Sequence, residues 1–452
     1  MKNTYDVVVI GGATAGAYFA TLMAKKGYSS LIIEKDPYEK VGSRLDVFHI
    51  DTDLFEEFGV SMPKKGDDDF LMIMEQSLSV SPYDDTPKTV DYSYLVSRLT
   101  PFIHRMHKEA AEKGVDIVYD TEFLDFTYED GKISGVRVNC SGRETLIKSR
   151  LTADCSGIPA VGRTSLKKGY GMETFKIAPK DLFYVVLRYV KLKNPVKDKV
   201  VQTRAWNYYK SWIAPQIDPE GAIIGIGQPD SYDKAEEVYK EVEANIPLPP
   251  HDVDYIARGC TPYRRPPHSL VSDGFLCLGD SACITKPFSG EGITAAWALC
   301  RIAAEKAGEV MKDGAYPSVE KLWSVNLEYF RGQGAKFAGL LATLPGAAST
   351  SAKENAYLFK KDVIFSSRDL TDMNRDFELK ISTGKIFKIV SVLLSGLLTG
   401  NYTWKNVKAL ISSVIVSGKL REHYEEYSVS KDEHEQWVLK ADELWKKAGY
   451  EF

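Results

Sequence analysis

The sequence predicts an α/β protein: a Rossmann-type nucleotide-binding domain interrupted by an antiparallel-sheet domain and followed by a C-terminal helical region. Three observations carry this expectation. A strand, glycine turn, helix and second strand open the chain. Alternating apolar runs occupy residues 181–229, and a second strand, glycine loop and helix lies near residue 280.

At 452 residues and 44% hydrophobic content the chain is long enough for two or three domains with full cores. The expected division is a discontinuous nucleotide-binding domain over 1–165 and 255–335, with some sheet-domain strands contributed from 45–100. The sheet domain is expected over 166–254 and the helical domain over 336–452. A formal charge of −4 offers no basic stripe for nucleic acid. Six cysteines (Cys140, Cys155, Cys260, Cys277, Cys283, Cys300) form no C-x-x-C pair and no zinc-spaced cluster, so reduced thiols and no metal are expected. The N-terminus MKNTYDVVVIGG runs straight into a strand and lacks the layout of a signal peptide, which predicts a cytoplasmic protein.

Tyr5 to Ile10 is a β-branched run, GGATAGAYFATLMAKKG is a glycine turn opening an alanine-rich helix, and SSLIIEKD is a second strand ending at Glu34. Gly11 and Gly16 hold the outer positions of G-x-G-x-x-G, with Ala13 in the middle and Thr14 and Ala15 between Ala13 and Gly16. Such a turn lets the backbone approach a pyrophosphate at a helix N-terminus, and Glu34, followed by Lys35, stands where an acid would bond a ribose hydroxyl. The competing reading is a structural turn with Glu34 merely solvated.

From Tyr92 to Asp120 the pattern reads as a helix and then a strand, and FTYEDGKISGVRV reads as a hairpin with a D-G turn. SRLTADCSG is a strand ending in small residues, while DLFYVVLRYVKL and GAIIGIGQP suggest an antiparallel sheet. GFLCLGDSA ends a strand at Gly279 and Asp280, and after Pro287 the stretch SGEGITAAWALCRIAAE opens a helix whose first NH groups can hold an anion. Two such helix starts suit a long cofactor with a pyrophosphate and a second electron-rich end, which is the description of FAD.

VVVIGGATAG…IIEK, ADCSG and LGDSACITKPFSGEGI together resemble the flavin-dependent oxidoreductases of the hydroxylase-like group, and within it the geranylgeranyl reductase family. The resemblance implies FAD held by Gly11, Gly16, Glu34 and Asp280, with Gly290, Gly292 and Ile293 beside the isoalloxazine. Members carry Y-x-W-x-F-P in the substrate domain, where this chain has KSWIAP: Trp212 and Pro215 match, and Lys210 and Ala214 depart. Ala214 in place of Phe should widen the pocket. Lys210 either meets a charged head group or snorkels to solvent.

Relatives place a Cys-Gly pair in the loop after the second strand, and here Asp46 and Val47 stand at about that position. Asp46 and His49, set in the apolar LDVFHI, are the candidate proton donors. Burial would favour the protonated acid. The bland alternatives make Asp46 a partner of Arg44 or a cap for a helix over VFHIDTDLFEEFG. Arg98, ahead of a helix from Thr100, is a candidate for the flavin phosphates. Arg264 and Arg265 are read as surface charge or head-group contacts.

The run from Ile389 to Trp404 is uncharged but too short to span a bilayer, which suggests two amphipathic helices joined by TGNYTW. These would cap a tunnel, pack as plain core, or rest peripherally on the inner face of a membrane. The implied activity is saturation of C=C bonds in an apolar, isoprenoid or lipid-like substrate, with electrons from a ferredoxin-like donor or NAD(P)H. A flavin monooxygenase or halogenase is the rival on the same scaffold, with Lys210 as the lysine a halogenase needs. A non-catalytic lipid or flavin carrier is the rival from another class.

Overall fold

A computed structural model describes residues 2–43, 45–83, 87–195, 200–206, 209–246, 248–363, 366–375 and 383–451. Arg44, the suggested partner of Asp46, lies outside the described residues.

The strands form two eight-stranded sheets. The first contains β1 (Thr4–Ile10), β2 (Ser30–Ile33), β6 (Asp116–Val118), β7 (Thr121–Glu129), β8 (Lys132–Cys140), β9 (Arg143–Asp154), β15 (Val271–Ser272) and β16 (Phe275–Cys277). Its core is the parallel order β16-β9-β1-β2-β6, with the β7–β8 hairpin attached along the N-terminal half of β9. Val7, Val8 and Val9 are wholly buried, as expected of a parallel strand covered on both faces.

The second sheet contains β3 (Val47–Asp51), β4 (Phe70–Val80), β5 (Lys88–Arg98), β10 (Leu182–Leu192), β11 (Val201–Ala205), β12 (Lys210–Pro215), β13 (Gly221–Gln228) and β14 (His251–Pro262). Neighbours are antiparallel except β11 and β4, which run parallel. Two separate insertions into the first domain therefore build one sheet, and β14 carries it to Pro262, past the expected boundary at 254.

The helices are α1 (Thr14–Lys25), α2 (Thr52–Phe58), α3 (Leu99–Glu112), α4 (Val161–Thr164), α5 (Tyr232–Asn245), α6 (Ile293–Val310), α7 (Val319–Tyr329), α8 (Ala335–Ser349), α9 (Ala352–Lys360), α10 (Ser367–Arg375), α11 (Thr383–Leu398), α12 (Trp404–Glu425) and α13 (His434–Lys447). α6 lies against α1, where the Trp297 indole donates to the Thr14 carbonyl and Tyr28 donates to the Gly308 carbonyl.

Three local expectations change. Tyr92–Arg98 is strand rather than helix, because its aromatic and β-branched residues pair between β3 and β4, and the helix starts only at Leu99. VFHID is likewise strand, so Asp46 caps no helix; α2 begins at Thr52. The strand of GFLCLGDSA stops at Cys277, and Gly279–Ala282 form a single tight turn.

Candidate active site

The glycine turn of the first domain is tight because nothing larger fits. A Cβ on Gly16 would stand 2.0 Å from the Gly11 carbonyl oxygen, and one on Gly11, at φ +97°, would stand 2.5 Å from the Cys155 carbonyl oxygen. The close approach joins the end of β1 to the ADCSG turn after β9. There Asp154, fully buried and with its pKa raised by burial, accepts from the backbone NH of Ser156 and Arg163. Ala13 starts α1 without a side-chain cap, which leaves its first turn open toward an anion.

Glu34 is buried at the end of β2, where it accepts from Gly12 N at 2.7 Å and Asp36 N at 2.9 Å. His107 holds the other side of the turn: its Nε2 donates to the Gly12 carbonyl, and its Nδ1 accepts from Tyr119. Burial lowers its pKa, in keeping with this neutral tautomer. Lys35 is exposed and pairs with Asp36. Arg98 is exposed at the N-cap of α3.

The second glycine segment meets the first directly. At Gly279, φ +68°, a Cβ would lie 3.1 Å from that of Ala15, and at Gly292 it would lie 3.2 Å from Asp280 Oδ1. Gly292 precedes α6, again without a side-chain cap, and Ile293 is its first residue. Between Lys286 and Gly292 the chain folds back on itself. Lys286 N donates to the Glu291 carbonyl and Gly290 N to the Lys286 carbonyl, with Phe288 at φ +69° and Gly290 at φ +79° inside the turn and Pro287 buried beneath. A non-glycine residue in the left-handed region stores strain that its surroundings must hold. Here Tyr263 accepts from Phe288 N, and Lys210 Nζ donates to the Ser289 carbonyl at 2.6 Å.

That contact corrects both expectations for Lys210. It neither snorkels nor waits for a head group: its ammonium is spent on the loop, and burial lowers its pKa to about 8. Arg264 and Arg265 are corrected too. Both are buried, Arg264 on Asp181 at 2.9 Å and Arg265 bidentate on Glu173 at 2.9 Å, which holds the Glu173 carboxyl down at about 2. Their segment lies between β14 and the C-terminal helices, so a surface reading fails.

The face of the second sheet turned toward this loop is apolar and only partly covered. Trp212 and Ala214 of β12 share it with Ile223, Leu187, Tyr189 and Val47. Trp212 lies flat on the sheet because Gly225 makes room: a Cβ there would come within 2.0 Å of the indole. Pro215 points to the other face, next to Ala222, and so lies away from this surface.

Polar groups gather where the face meets the loop. His49 Nε2 donates to Glu291 Oε1 at 2.9 Å, and Lys286 Nζ donates to Glu291 Oε2 at 3.0 Å. Half-buried against the Lys286 ammonium and hydrogen-bonded by His49, the Glu291 carboxyl falls well below its ordinary range. Asp51, two residues along β3 from His49, is pushed up to about 6 by burial and the Glu291 charge. Asp46, in contrast, is exposed and accepts from Tyr255 OH at 3.2 Å. The expected desolvation of Asp46 is absent: it lies just ahead of β3 with its side chain in solvent, while its neighbours Leu45 and Val47 pack on the apolar surface.

Glu291, Lys286, Asp51 and His107 escaped the sequence reading. The first two flank the glycine loop in KPFSGEG and were legible there. Asp51 and His107 carry no local signal, because their roles come from strand pairing and helix packing.

The glycine cradles, two uncapped helix starts and a buried carboxylate at the end of β2 fit a long dinucleotide cofactor. A model of the FAD binding domain family matches residues 4–315. The chain belongs to that family, and its cofactor is FAD. The flavoprotein is 24% identical over 466 residues to the digeranylgeranylglycerophospholipid reductase of Sulfolobus acidocaldarius, with 97% of each chain covered. It is 27% identical to digeranylgeranylglycerophospholipid reductase 1 of Methanococcoides burtonii over 82% of this chain and 91% of the other. Among solved structures it is similar to a geranylgeranyl bacteriochlorophyll reductase-like protein of Thermoplasma acidophilum, with a TM-score of 0.65, 16% identity, and 87% and 98% of the two chains covered. A flavin-dependent brominase matches with a TM-score of 0.62, 17% identity, and 86% and 98% covered. At such identities the structural matches establish the fold these proteins share.

Proposed function

We propose that this flavoprotein is a reductase that saturates C=C bonds of an apolar, isoprenoid-like lipid. The observation that carries the reading is the half-covered apolar face of Trp212, Ala214, Ile223 and Leu187, set against the glycine loop with a polar cluster at its edge. Reduced FAD supplies a hydride equivalent when bound. The chain's own part is to exclude water, orient the alkene and deliver a proton.

Trp212 offers a flat wall for a polyene, and Ala214 leaves space beside it where relatives carry a phenylalanine. His49, hydrogen-bonded to Glu291 at the edge of this face, is the proton donor, and Asp51, two residues along the same strand, holds its own proton to higher pH than an ordinary carboxyl. Gly11, Ala13, Thr14, Ala15, Gly16, Glu34 and Arg98 hold the adenine-dinucleotide end, and Asp280, Pro287, Gly290, Gly292 and Ile293 frame the flavin end. Electrons come from outside the chain, through a ferredoxin-like protein or transient NAD(P)H contact, since the sequence contains no second G-x-G-x-x-G.

The test is anaerobic. Purified protein of known FAD content is reduced with dithionite and mixed with a geranylgeranyl lipid, while the flavin absorbance and the mass of the lipid are followed. Reoxidation with a product heavier by one or more pairs of hydrogens supports the reading. A flavin that stays reduced with every prenyl lipid overturns it, and halide incorporation under oxygen would put the halogenase reading in its place. His49→Gln should slow reoxidation by about 10²-fold, the usual scale for a lost general acid, whereas Asp46→Asn should change it little.

A further inference from the structure

The α11–α12 hairpin carries an apolar surface that no other part of the described chain covers. On α11 the outward residues are Phe387, Val390, Leu394 and Leu398, spaced three and four apart along one helical face, and Leu398 is 89% exposed. On α12 they are Trp404, Ile411, Val414 and Ile415. Scattered exposed apolar residues are ordinary on a globular surface, but residues spaced three and four apart along one face of each of two successive helices are not scattered.

The hairpin is built, so the exposure is not that of a loose end. Its inner face packs Leu393, Tyr402 and Val407 against Leu358 of α9. Gly396 lets the Tyr357 ring come close enough that a Cβ would stand 2.9 Å away. The buried Glu354 carboxylate fixes the turn, accepting from Thr403 N at 2.9 Å, Thr403 Oγ1 at 3.1 Å and Asn406 Nδ2 at 2.7 Å. Thr403 caps α12 through Asn406 N.

Charge says what would cover the patch. Residues 383–420 contain five lysines (Lys385, Lys388, Lys405, Lys408, Lys419) and no acid, in a chain whose formal charge is −4. Lys385 is paired with Asp369 and Lys388 donates to the Asp362 carbonyl, whereas Lys405, Lys408 and Lys419 are exposed beside the apolar stripe of α12. No described helix is long and apolar enough to cross a membrane. An apolar face rimmed by lysines, with a tryptophan at one end, is the surface of a helix that lies in a lipid–water interface.

We propose that the α11–α12 hairpin docks the protein on an anionic lipid bilayer, with Phe387, Leu394, Leu398, Trp404 and Ile415 in the acyl boundary and the lysines among the head groups. The placement suits the reading above, on which its biological sense rests. α12 packs on α8 through small residues, with Gly339 against Ser417 and Gly346 against Ser413. The opposite side of α8 gives Phe337 and Leu341 to an apolar pocket that Thr285 and Pro287 of the glycine-loop region also line. One helix therefore separates the docking face from a pocket beside the flavin end.

The test is flotation of the full-length FAD-loaded protein with vesicles of phosphatidylcholine, alone or mixed with phosphatidylglycerol. Binding to the mixed vesicles, weakened by salt, is expected. Leu394→Glu with Leu398→Glu should reduce it by at least tenfold, and Lys405→Glu with Lys408→Glu should do so by about tenfold on the anionic vesicles only. A blue shift of tryptophan emission on binding, absent in Trp404→Phe, would place the hairpin at the interface. No flotation on either vesicle, or flotation indifferent to both double variants, overturns the proposal. So does a dimer of the free protein that Leu394→Glu dissociates, since the patch would then belong to a second copy. Reoxidation by a detergent-dispersed prenyl lipid should be unchanged in all these variants, so a failed docking and a failed reductase reading give different results.

Discussion

Asp51 shows how a neighbourhood rewrites one side chain. Its carboxyl titrates near 6 in the folded protein, raised from 3.8 by burial and by Glu291. Between those values the folded state binds more protons than the unfolded one, so stability falls as pH rises from about 4 to 6 and the loss persists at pH 7. Asp51→Asn mimics the protonated acid. Thermal melts should show a gain of about 1–2 kcal/mol at pH 7, reduced from the full shift because the group is part-exposed, and no gain at pH 4. An unchanged melt at pH 7 would mean that the raised titration is absent. Asp46, five residues earlier, was the sequence's candidate for such an effect. The same local chemistry was legible in both acids; which of them is desolvated is set by where β3 starts and by the glycine loop that arrives from 240 residues downstream.

At the scale of elements, glycines decide what can approach what, and two of them separate cofactor from substrate functions. Gly16→Ala puts a methyl group 2.0 Å from the Gly11 carbonyl, which must open the turn before α1. The purified variant should carry little FAD, read as the ratio of flavin to protein absorbance. Gly225→Ala has the same clash distance but against the Trp212 indole, a side chain that can move. This variant should keep its FAD and lose turnover with a prenyl lipid, by about tenfold, the scale set by misplacing a bound alkene. Loss of flavin from Gly225→Ala would show that the second sheet supports the cofactor rather than the substrate. Both glycines are visible in the sequence, but only Gly16 sits in a pattern whose spacing declares its purpose. Gly225 reads as one more small residue in GAIIGIGQ until β12 is laid beside it.

At the scale of the molecule, the chain holds two glycine segments, Gly11–Gly16 and Gly279–Gly292, in contact through Ala15 and Gly279, and on the reading proposed above FAD spans both. Removing it should lower the melting temperature, and returning it at a hundred times its dissociation constant should restore about 2.7 kcal/mol of stability. A melting temperature indifferent to FAD would contradict a cofactor held by both segments. The nucleotide fold, the cofactor and the order of most elements could be read from the chain alone. Those depend on short-range rules: β-branched runs, glycines at turn spacing and helix starts read within a few residues of themselves. It misjudged VFHID and Tyr92–Arg98, where local pattern allowed a helix and pairing with distant strands made a sheet. Long-range packing is what brings Lys210 to the loop, buries Arg264 and Arg265 in ion pairs, and sets His49 against Glu291. Burial and charge partners belong to residues far apart in the chain, and no local pattern carries the information of who will stand beside whom.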